Sequence, residues 1–348
     1  MKPKVALIRG DGVGPELSEA ALLVLRAVGE PVEVLEAPAG YEWWQEHGGP
    51  SLIPESSWQV LREARACLKA PTTTPLGPGT PKSVAVSIRQ AFNLYANVRP
   101  IRTYEGTPAP LGAVNFICVR EATEELYSGL DFRLSPDAAI TIRKITRQAS
   151  EKVCEYAFSL AKGRGWSRVV VVNKANILKE SDGLFLEVAR SVAARHPGIA
   201  LEEYLVDNLA QQLVKNPQRF NESVLLGPNL FMDIISEEAS ALVASIGMIP
   251  SANIGDNYAM FEPSHGSAPK YKGQNRVNPV AMILSAGWLL EYLGFTREAR
   301  AIEAAVEEVL REGKQVTYDL GGSAGTKEMA EAIAVRASSL LSAPARPR

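Results

Sequence analysis

Three arginines are spaced so that they could meet around one anion. Arg89 and Arg99 stand ten residues apart in the stretch from Ser83 to Pro100, and Arg120 closes the apolar run Phe116-Ile-Cys-Val119. A guanidinium at a strand's end is well placed to face a cleft, and it grips a carboxylate through two parallel hydrogen bonds. A converging set therefore suits a small polycarboxylic acid better than lysines would. Taken singly, each is more simply a surface or ion-pairing side chain. A second candidate group is acidic. Asp233 and Glu237 are four residues apart at the start of an apolar-periodic helix and so share one face. Oxygen ligands of this kind suit Mg²⁺ or Mn²⁺ rather than zinc. The plainer reading is acids placed at a helix start by its dipole.

Two long irregular stretches complete the candidate chemistry. Residues 253–279, punctuated by glycine and proline and carrying polar and basic side chains, read as one long ordered loop. The backbone groups of such a loop need partners, and a bound ligand is a natural one. Residues 70–81 hold four prolines and two glycines, which excludes regular secondary structure and makes their threonines candidate ligand contacts. Gly10-Asp-Gly-Val-Gly-Pro15 invites a dinucleotide reading, with Glu33 or Glu36 near the place of a ribose-binding acid. That fingerprint requires G-x-G-x-x-G, and here the third glycine comes one residue early. The segment is better read as a tight strand-to-helix turn with Pro15 in the first helical turn.

The elements that must position these residues alternate. Val5–Ile8, Val32–Leu35, Ala113–Val119 and Val169–Val172 read as strands. Glu16–Val28, Pro54–Lys69, Thr146–Lys162, Ser181–Ala194, Pro279–Leu293, Thr296–Glu312 and Thr326–Leu341 carry helical apolar spacing. An α/β architecture follows, with Ala343–Arg348 expected to fray. At 348 residues, two domains or one elaborated domain are expected. A net charge of −2 gives no electrostatic reason to expect nucleic acid or an acidic membrane as partner, and no apolar run is long enough for a membrane span or signal peptide. Cys67, Cys118 and Cys154 form no paired framework, so a reducing cytoplasm is the simplest setting. His47, His196 and His265 lie far apart in the chain, which argues against a zinc or two-histidine iron site.

Leu94-Tyr-Ala-Asn-Val-Arg-Pro100, Arg102-Thr-Tyr-Glu-Gly-Thr-Pro-Ala-Pro110 and Val119-Arg-Glu-Ala-Thr-Glu-Glu-Leu-Tyr127 stand as successive blocks. With residues 253–279 they resemble the β-decarboxylating dehydrogenases, the isocitrate and 3-isopropylmalate dehydrogenase family. The resemblance runs in order along nearly the whole chain. It implies an α/β, two-domain isopropylmalate/isocitrate dehydrogenase-like fold with a large mixed sheet, not a Rossmann fold. Residues 1–100 and 253–348 would form a discontinuous cofactor-binding domain, and 101–252 a smaller inserted domain carrying a homodimer interface. It places Arg89, Arg99 and Arg120 on the substrate carboxylates. Ser83 matches the serine that meets the extra carboxylate of isocitrate, where isopropylmalate enzymes present an apolar side chain. Asp233, Glu237 and Asp207 would hold Mg²⁺ or Mn²⁺, Asp207 coming from the partner subunit, although the family usually has aspartate at Glu237 and glycine at Met232. Tyr127 and Lys174, the latter in Asn173-Lys-Ala-Asn-Ile-Leu178, match the proton-transfer residues.

The resemblance further places the cofactor on Lys69, Thr73, Thr74, Asn176, Glu262, His265, Gly266, Ser267, Ala268, Lys270, Tyr271, Val277, Asn278 and Tyr318. Lys270-Tyr271 stands where NAD-using members carry an acid and an aliphatic residue, and a lysine attracts a 2′-phosphate that an aspartate would repel. Val277 and Tyr318 also fit NADP, whereas Gly322 occupies the place of an arginine that would complete a phosphate clamp. The implied reaction is metal-dependent oxidative decarboxylation of isocitrate with NADP, NAD being the alternative cofactor. Ala85 departs from an asparagine of the isocitrate subgroup, which leaves homoisocitrate or 3-isopropylmalate as alternative substrates. The family also contains non-catalytic regulatory subunits, and retention of Tyr127, Lys174, Asp207 and Asp233 together argues against that role.

Overall fold

The computed structural model describes residues 2–77 and 79–342. Pro78 of the expected loop and the Ala343–Arg348 tail lie outside them. Twelve strands are present among these residues: β1 (Lys4–Ile8), β2 (Glu33–Glu36), β3 (Ala66–Lys69), β4 (Ala96–Arg102), β5 (Asn115–Glu121), β6 (Asp131–Ser135), β7 (Ala138–Thr141), β8 (Arg168–Asn173), β9 (Ala200–Leu205), β10 (Val224–Gly227), β11 (Pro250–Ile254) and β12 (Ala259–Pro263). Ten of them form one mixed sheet in the order β2-β1-β3-β12-β11-β4-β5-β10-β8-β9. The two flanks are parallel, and the antiparallel pairs β12/β11, β11/β4 and β4/β5 join them. This is the large mixed sheet expected, and its order is not the dinucleotide-binding one.

Helices cover the sheet because the parallel strands are apolar on both faces. β3 and β10 are buried at every position, as is Val169–Asn173 within β8. The helix Val280–Tyr292 has ten buried residues and lies against β11 and β12. Phe116, Phe158, Phe185, Phe220 and Phe261 are fully buried, each contributing on the order of 1.5–3 kcal/mol by leaving water.

The helix Thr296–Glu312 has the limits its spacing gave, and Gly14–Ala27, Arg147–Gly163, Ser181–Ala193, Val280–Tyr292 and Thr326–Ser342 agree within about two residues. Pro54–Lys69 is not one helix. The helix ends at Glu63, and Ala66–Lys69 becomes β3, pairing with β1 and β12. A strand buried on both faces has no apolar alternation to betray it. Residues 253–279 are not one loop either: Asn253 and Ile254 end β11, and Ala259–Pro263 form β12, which returns antiparallel beside it. Apart from the link Gly255–Tyr258 between these strands, the irregular part is Ser264–Pro279, broken by a short 3₁₀ turn at Pro269–Tyr271. The acidic helix begins at Asn229, directly after Pro228, so Asp233 lies in its second turn. Its dipole therefore does not account for Asp233, since that effect fades beyond the first turn.

The glycine-rich turn is structural, as its spacing indicated. Asp11 Oδ2 accepts the amides of Thr73 and Tyr41 at 2.7 and 3.0 Å, and Oδ1 accepts that of Glu42 at 2.8 Å. The amides of Asp11 and Val13 donate to the carbonyls of Pro71 and Ser267 at 2.8 and 2.9 Å. Gly10 and Gly12 have φ of 68° and 60°, and a Cβ would meet those carbonyl oxygens at 2.0 and 2.1 Å. Any other residue would push the two loops apart.

Candidate active site

Strand register lays a polar row across the apolar sheet. Asn97 on β4 stands opposite Asn253 on β11 and opposite Arg120 on β5, and Ser251 pairs with Glu262 on β12. Alternation puts Arg99 on the same face as Asn97. Arg89 reaches the row from the last turn of the helix Val84–Ala91, whose N-cap position is Ser83. Its Nε donates to Asn253 Oδ1 at 2.7 Å and its Nη2 to Glu262 Oε1 at 3.2 Å. Arg99 Nε donates to Asn97 Oδ1 at 3.0 Å. The three arginines are thus brought together, buried, on a scaffold of asparagines.

Asp233 is the acid that Arg99 and Arg120 share. Arg120 Nη1 donates to its Oδ1, Arg99 Nη2 lies 3.7 Å from the same atom, and Tyr127 Oη donates to Oδ2 at 2.6 Å. The Arg120 guanidinium lies 4.6 Å from the centre of the Tyr127 ring. Glu237, one turn on, accepts from Arg99 Nη1 at 2.9 Å. Burial by itself would raise the Asp233 pKa, but Arg120, the Tyr127 hydroxyl, Arg99 and Arg89 outweigh it and hold the carboxylate below its ordinary range. Burial raises the Tyr127 pKa, opposed by Arg120 and reinforced by Asp233. Burial, with the neighbouring Arg89 and Arg99, lowers Arg120 to about 10 despite Asp233. Buried Arg120 Nη2 has no protein partner among the described residues, so a donor is left for an incoming anion.

Four of the residues expected to hold the cofactor, Lys69, Glu262, His265 and Gly266, line the same cleft. Lys69 Nζ donates to Glu262 Oε2 at 2.7 Å. Burial would raise the Glu262 pKa, yet Lys69, Arg89 and hydrogen bonds including that from Asn253 bring it down to about 2. Lys69, Ser83, Arg89, Arg99, Glu262, His265 and Gly266 line one cavity of about 160 Å³. Thr73 Oγ1 and Ser267 Oγ are 2.6 Å apart, tying the two expected loops together. Burial lowers the His265 pKa, and its Nε2 and Ser264 Oγ are buried without protein partners among the described residues. Such orphaned groups fit a polar ligand. Ala268 has a φ of 38°, which turns the chain into Pro269–Tyr271.

Further along, Asn278 Nδ2 donates to Asp319 Oδ2 at 3.0 Å, and Val277 O accepts from Thr326 Oγ1 at 2.6 Å. Lys270 Nζ lies 4.8 Å from the ring centre of Tyr271, and the rings of Tyr271 and Tyr318 are 6.3 Å apart. Thr74 is exposed. Asn176 is exposed in the turn after β8, and four strands stand between β8 and β12 in the sheet.

Lys174 and Asp207 form a separate pair. They follow the parallel neighbours β8 and β9, and Lys174 Nζ donates to Asp207 Oδ1 at 2.7 Å. Hydrogen bonding from Lys174 lowers the Asp207 pKa. Among the described residues of a single chain no three His, Cys, Asp or Glu side chains come close enough to hold a metal ion. Asp207 therefore does not join Asp233 and Glu237 within one copy.

Sequence reasoning missed Asn97, Asn253, Asn229 and Arg276. Asn229 Oδ1 accepts from Arg120 Nε at 2.8 Å, and the Arg276 guanidinium lies 4.2 Å from the Tyr318 ring centre and 5.6 Å from that of Tyr271. Polar residues inside otherwise apolar strands were the available signal for Asn97 and Asn253. Arg276 had none beyond its place in the loop.

The model of the family described as isocitrate/isopropylmalate dehydrogenase matches residues 4–333. A 3-isopropylmalate dehydrogenase of Methanothermobacter thermautotrophicus is 41% identical over 331 residues, 95% of this chain and 97% of that protein. A mitochondrial NAD isocitrate dehydrogenase catalytic subunit of Arabidopsis thaliana is 41% identical over 94% of this chain and 86% of its own length. The crystal structure of isocitrate dehydrogenase from Methylococcus capsulatus superimposes with a TM-score of 0.92 at 42% identity, covering 97% of this chain and 99% of that one. The chain belongs to the isocitrate/isopropylmalate dehydrogenase family. Members are β-decarboxylating dehydrogenases that use NAD or NADP and a divalent metal on small polycarboxylates, and the names of this chain's relatives carry both cofactors.

Proposed function

We propose that this protein oxidises and decarboxylates isocitrate to 2-oxoglutarate and CO₂ with reduction of NADP. The observation that carries the reading is the single cavity lined by Ser83, Arg89 and Arg99 on one side and by Lys69, His265 and Gly266 on the other. Carboxylate-binding and cofactor-binding groups thereby meet at one reaction centre. Arg89, Arg99 and Arg120 hold the substrate carboxylates, and Ser83 favours a polar third carboxylate over an isopropyl group. On the cofactor side, Arg276 supplies a cation beside Tyr318, Tyr271 and Lys270 where Gly322 has none. This supports NADP over NAD.

Asp233 and Glu237 offer oxygen donors suited to Mg²⁺ or Mn²⁺, with Asp207 of a second copy as the third. Such an ion would supply Lewis acidity at the substrate's 2-oxygen, and the nicotinamide would accept the hydride from its C2. Lys174 Nζ takes the hydroxyl proton, with Asp207 stabilising the resulting ammonium. As the C3–carboxylate bond breaks, its electrons move toward the new carbonyl, and Tyr127 Oη returns a proton to C3. The raised Tyr127 pKa keeps that proton in place until it is needed.

The site is shared between two copies in this reading. Because Lys174 holds Asp207 at 2.7 Å, the two enter a site together, opposite the Tyr127–Asp233 pair of the other copy. The β6–β7 hairpin supports a homodimer: Phe132, Leu134, Ile140 and Ile142 are 47%, 63%, 43% and 48% exposed, a patch that suits burial against a second copy. The division into 1–100 with 253–348 and an inserted 101–252 remains part of this proposal. One apolar cluster lies wholly among residues 6–94 and 258–260, while a larger one joins residues of both parts, from Val5 through Phe116 and Leu225 to Ala337. Three free, buried cysteines support a reducing compartment, the cytoplasm. No helix among the described residues is long and apolar enough to cross a membrane.

The test is cofactor reduction by the purified chain with Mn²⁺, crossing isocitrate, homoisocitrate and 3-isopropylmalate with NAD and NADP. Isocitrate with NADP should be the best pair. A preference for 3-isopropylmalate would overturn the role given to Ser83, and reduction of no cofactor by any of the acids would overturn the enzymatic reading.

A further inference from the structure

One guanidinium lies outside the cleft and braces, directly or through one carboxylate, the segments that carry Tyr127, Lys174 and the Asp233–Glu237 pair. Arg143 follows β7 by two residues, and its side chain is 13% exposed. Its Nε donates to Glu125 Oε1 at 2.7 Å, and its Nη1 donates to Asp182 Oδ1 at 2.5 Å and to Ser181 Oγ at 2.9 Å. The side chains of both carboxylates are completely buried. Each then passes the constraint on. Glu125 has a φ of 68°, opens the short turn that holds Tyr127, and accepts the Leu230 amide in the first turn of the helix bearing Asp233 and Glu237. Asp182 Oδ2 accepts the Lys174 amide at 2.5 Å, fixing the backbone from which that side chain leaves β8. The Arg143 guanidinium also lies 5.2 Å from the Phe231 ring centre on the same acidic helix.

We infer that Arg143 is a positioning residue, whose fork across two buried carboxylates holds the Tyr127 turn, the Lys174 turn and the helix Asn229–Ser240 in one fixed arrangement. The inference rests on the functional reading above for the roles of Tyr127 and Lys174. Two buried carboxylates without a cation between them would repel and draw in water, releasing both turns at once. Lysine keeps the charge but cannot bond both carboxylates in one plane. In a shared-site dimer the two turns serve different reaction centres, so a single Arg143 orders one contribution to each.

The experiment compares Arg143→Lys and Asp182→Asn with the unaltered chain by steady-state kinetics and by amide hydrogen exchange. In Arg143→Lys, exchange should rise at the Lys174 and Leu230 amides together, kcat should fall about tenfold or more, and KM for isocitrate should stay within about twofold, because misplacing reacting groups by an ångström costs turnover rather than binding. In Asp182→Asn, the Lys174 amide should loosen while the Leu230 amide keeps its protection. The inference is overturned if Arg143→Lys leaves either amide as protected as in the unaltered chain, or if kcat and KM worsen in parallel. Exchange is read without turnover, so a chain that oxidises no 2-hydroxy acid defeats the functional reading while the two amides still decide this one.

Discussion

At the scale of single residues, the site keeps its charges in pairs until ligands arrive. Glu262 shows this most clearly, fully ionised between Lys69 and Arg89 with its pKa held at about 2 against an ordinary 4.5. A folded-state value below the unfolded one means that the ionised form stabilises the fold. Glu262 thus contributes its full share above about pH 4.5, and the share is lost as pH falls toward about 2. In Glu262→Gln, unfolding by denaturant should show lower stability at pH 7 and a shallower loss between those limits. Two stability curves running parallel through that window would contradict the assignment. Arg276 makes a sharper test of cofactor choice. Because a guanidinium–phosphate contact is charge-assisted, Arg276→Gln should raise KM for NADP about tenfold or more while leaving KM for NAD unchanged. An equal rise with both cofactors would return Arg276 to a merely structural place beside Tyr318.

At the scale of elements, what the sequence makes visible depends on whether the cause is local. Apolar spacing marks the helices well, and the Gly10–Gly14 turn could be recognised as structural because its glycines have the wrong spacing for a dinucleotide. Lys69 on β3 and Glu262 on β12 are 193 residues apart in the chain and 2.7 Å apart in space. No local pattern announces such a pair. The same holds for Asn97 and Asn253, whose value lies in cross-strand register, and for β3 and β12, short buried strands with no alternation to read. The arginines could be found as a set, and polar residues inside apolar strands marked Asn97 and Asn253, but not the register that brings them together. The exposed β6–β7 hairpin also escaped the sequence reading, although Phe132 stands opposite Ile140 on its apolar face. Placing aspartate at both Phe132 and Leu134 should dissociate the proposed dimer and abolish activity, as read by sedimentation velocity beside the assay. A variant of unchanged size and full activity would remove the hairpin from the interface.

At the scale of the whole molecule, the proposed reading divides one copy of the chain into two half-sites. Tyr127, Asp233 and the arginines belong to one, and Lys174 with Asp207 to the other. Two copies related by a two-fold axis would complete two centres, each built from unlike halves. Mixing two inactive variants tests this most directly. Asp233→Asn and Lys174→Met are each made alone, then co-expressed so that mixed dimers form. In a shared-site dimer every mixed pair regains one intact centre, so a random mixture should recover about a quarter of wild-type kcat per chain, since half the dimers are mixed and each has one of two centres working. Activity no greater than the sum of the two separate residues' backgrounds would contradict the account, because it would place both halves of each centre in the same chain.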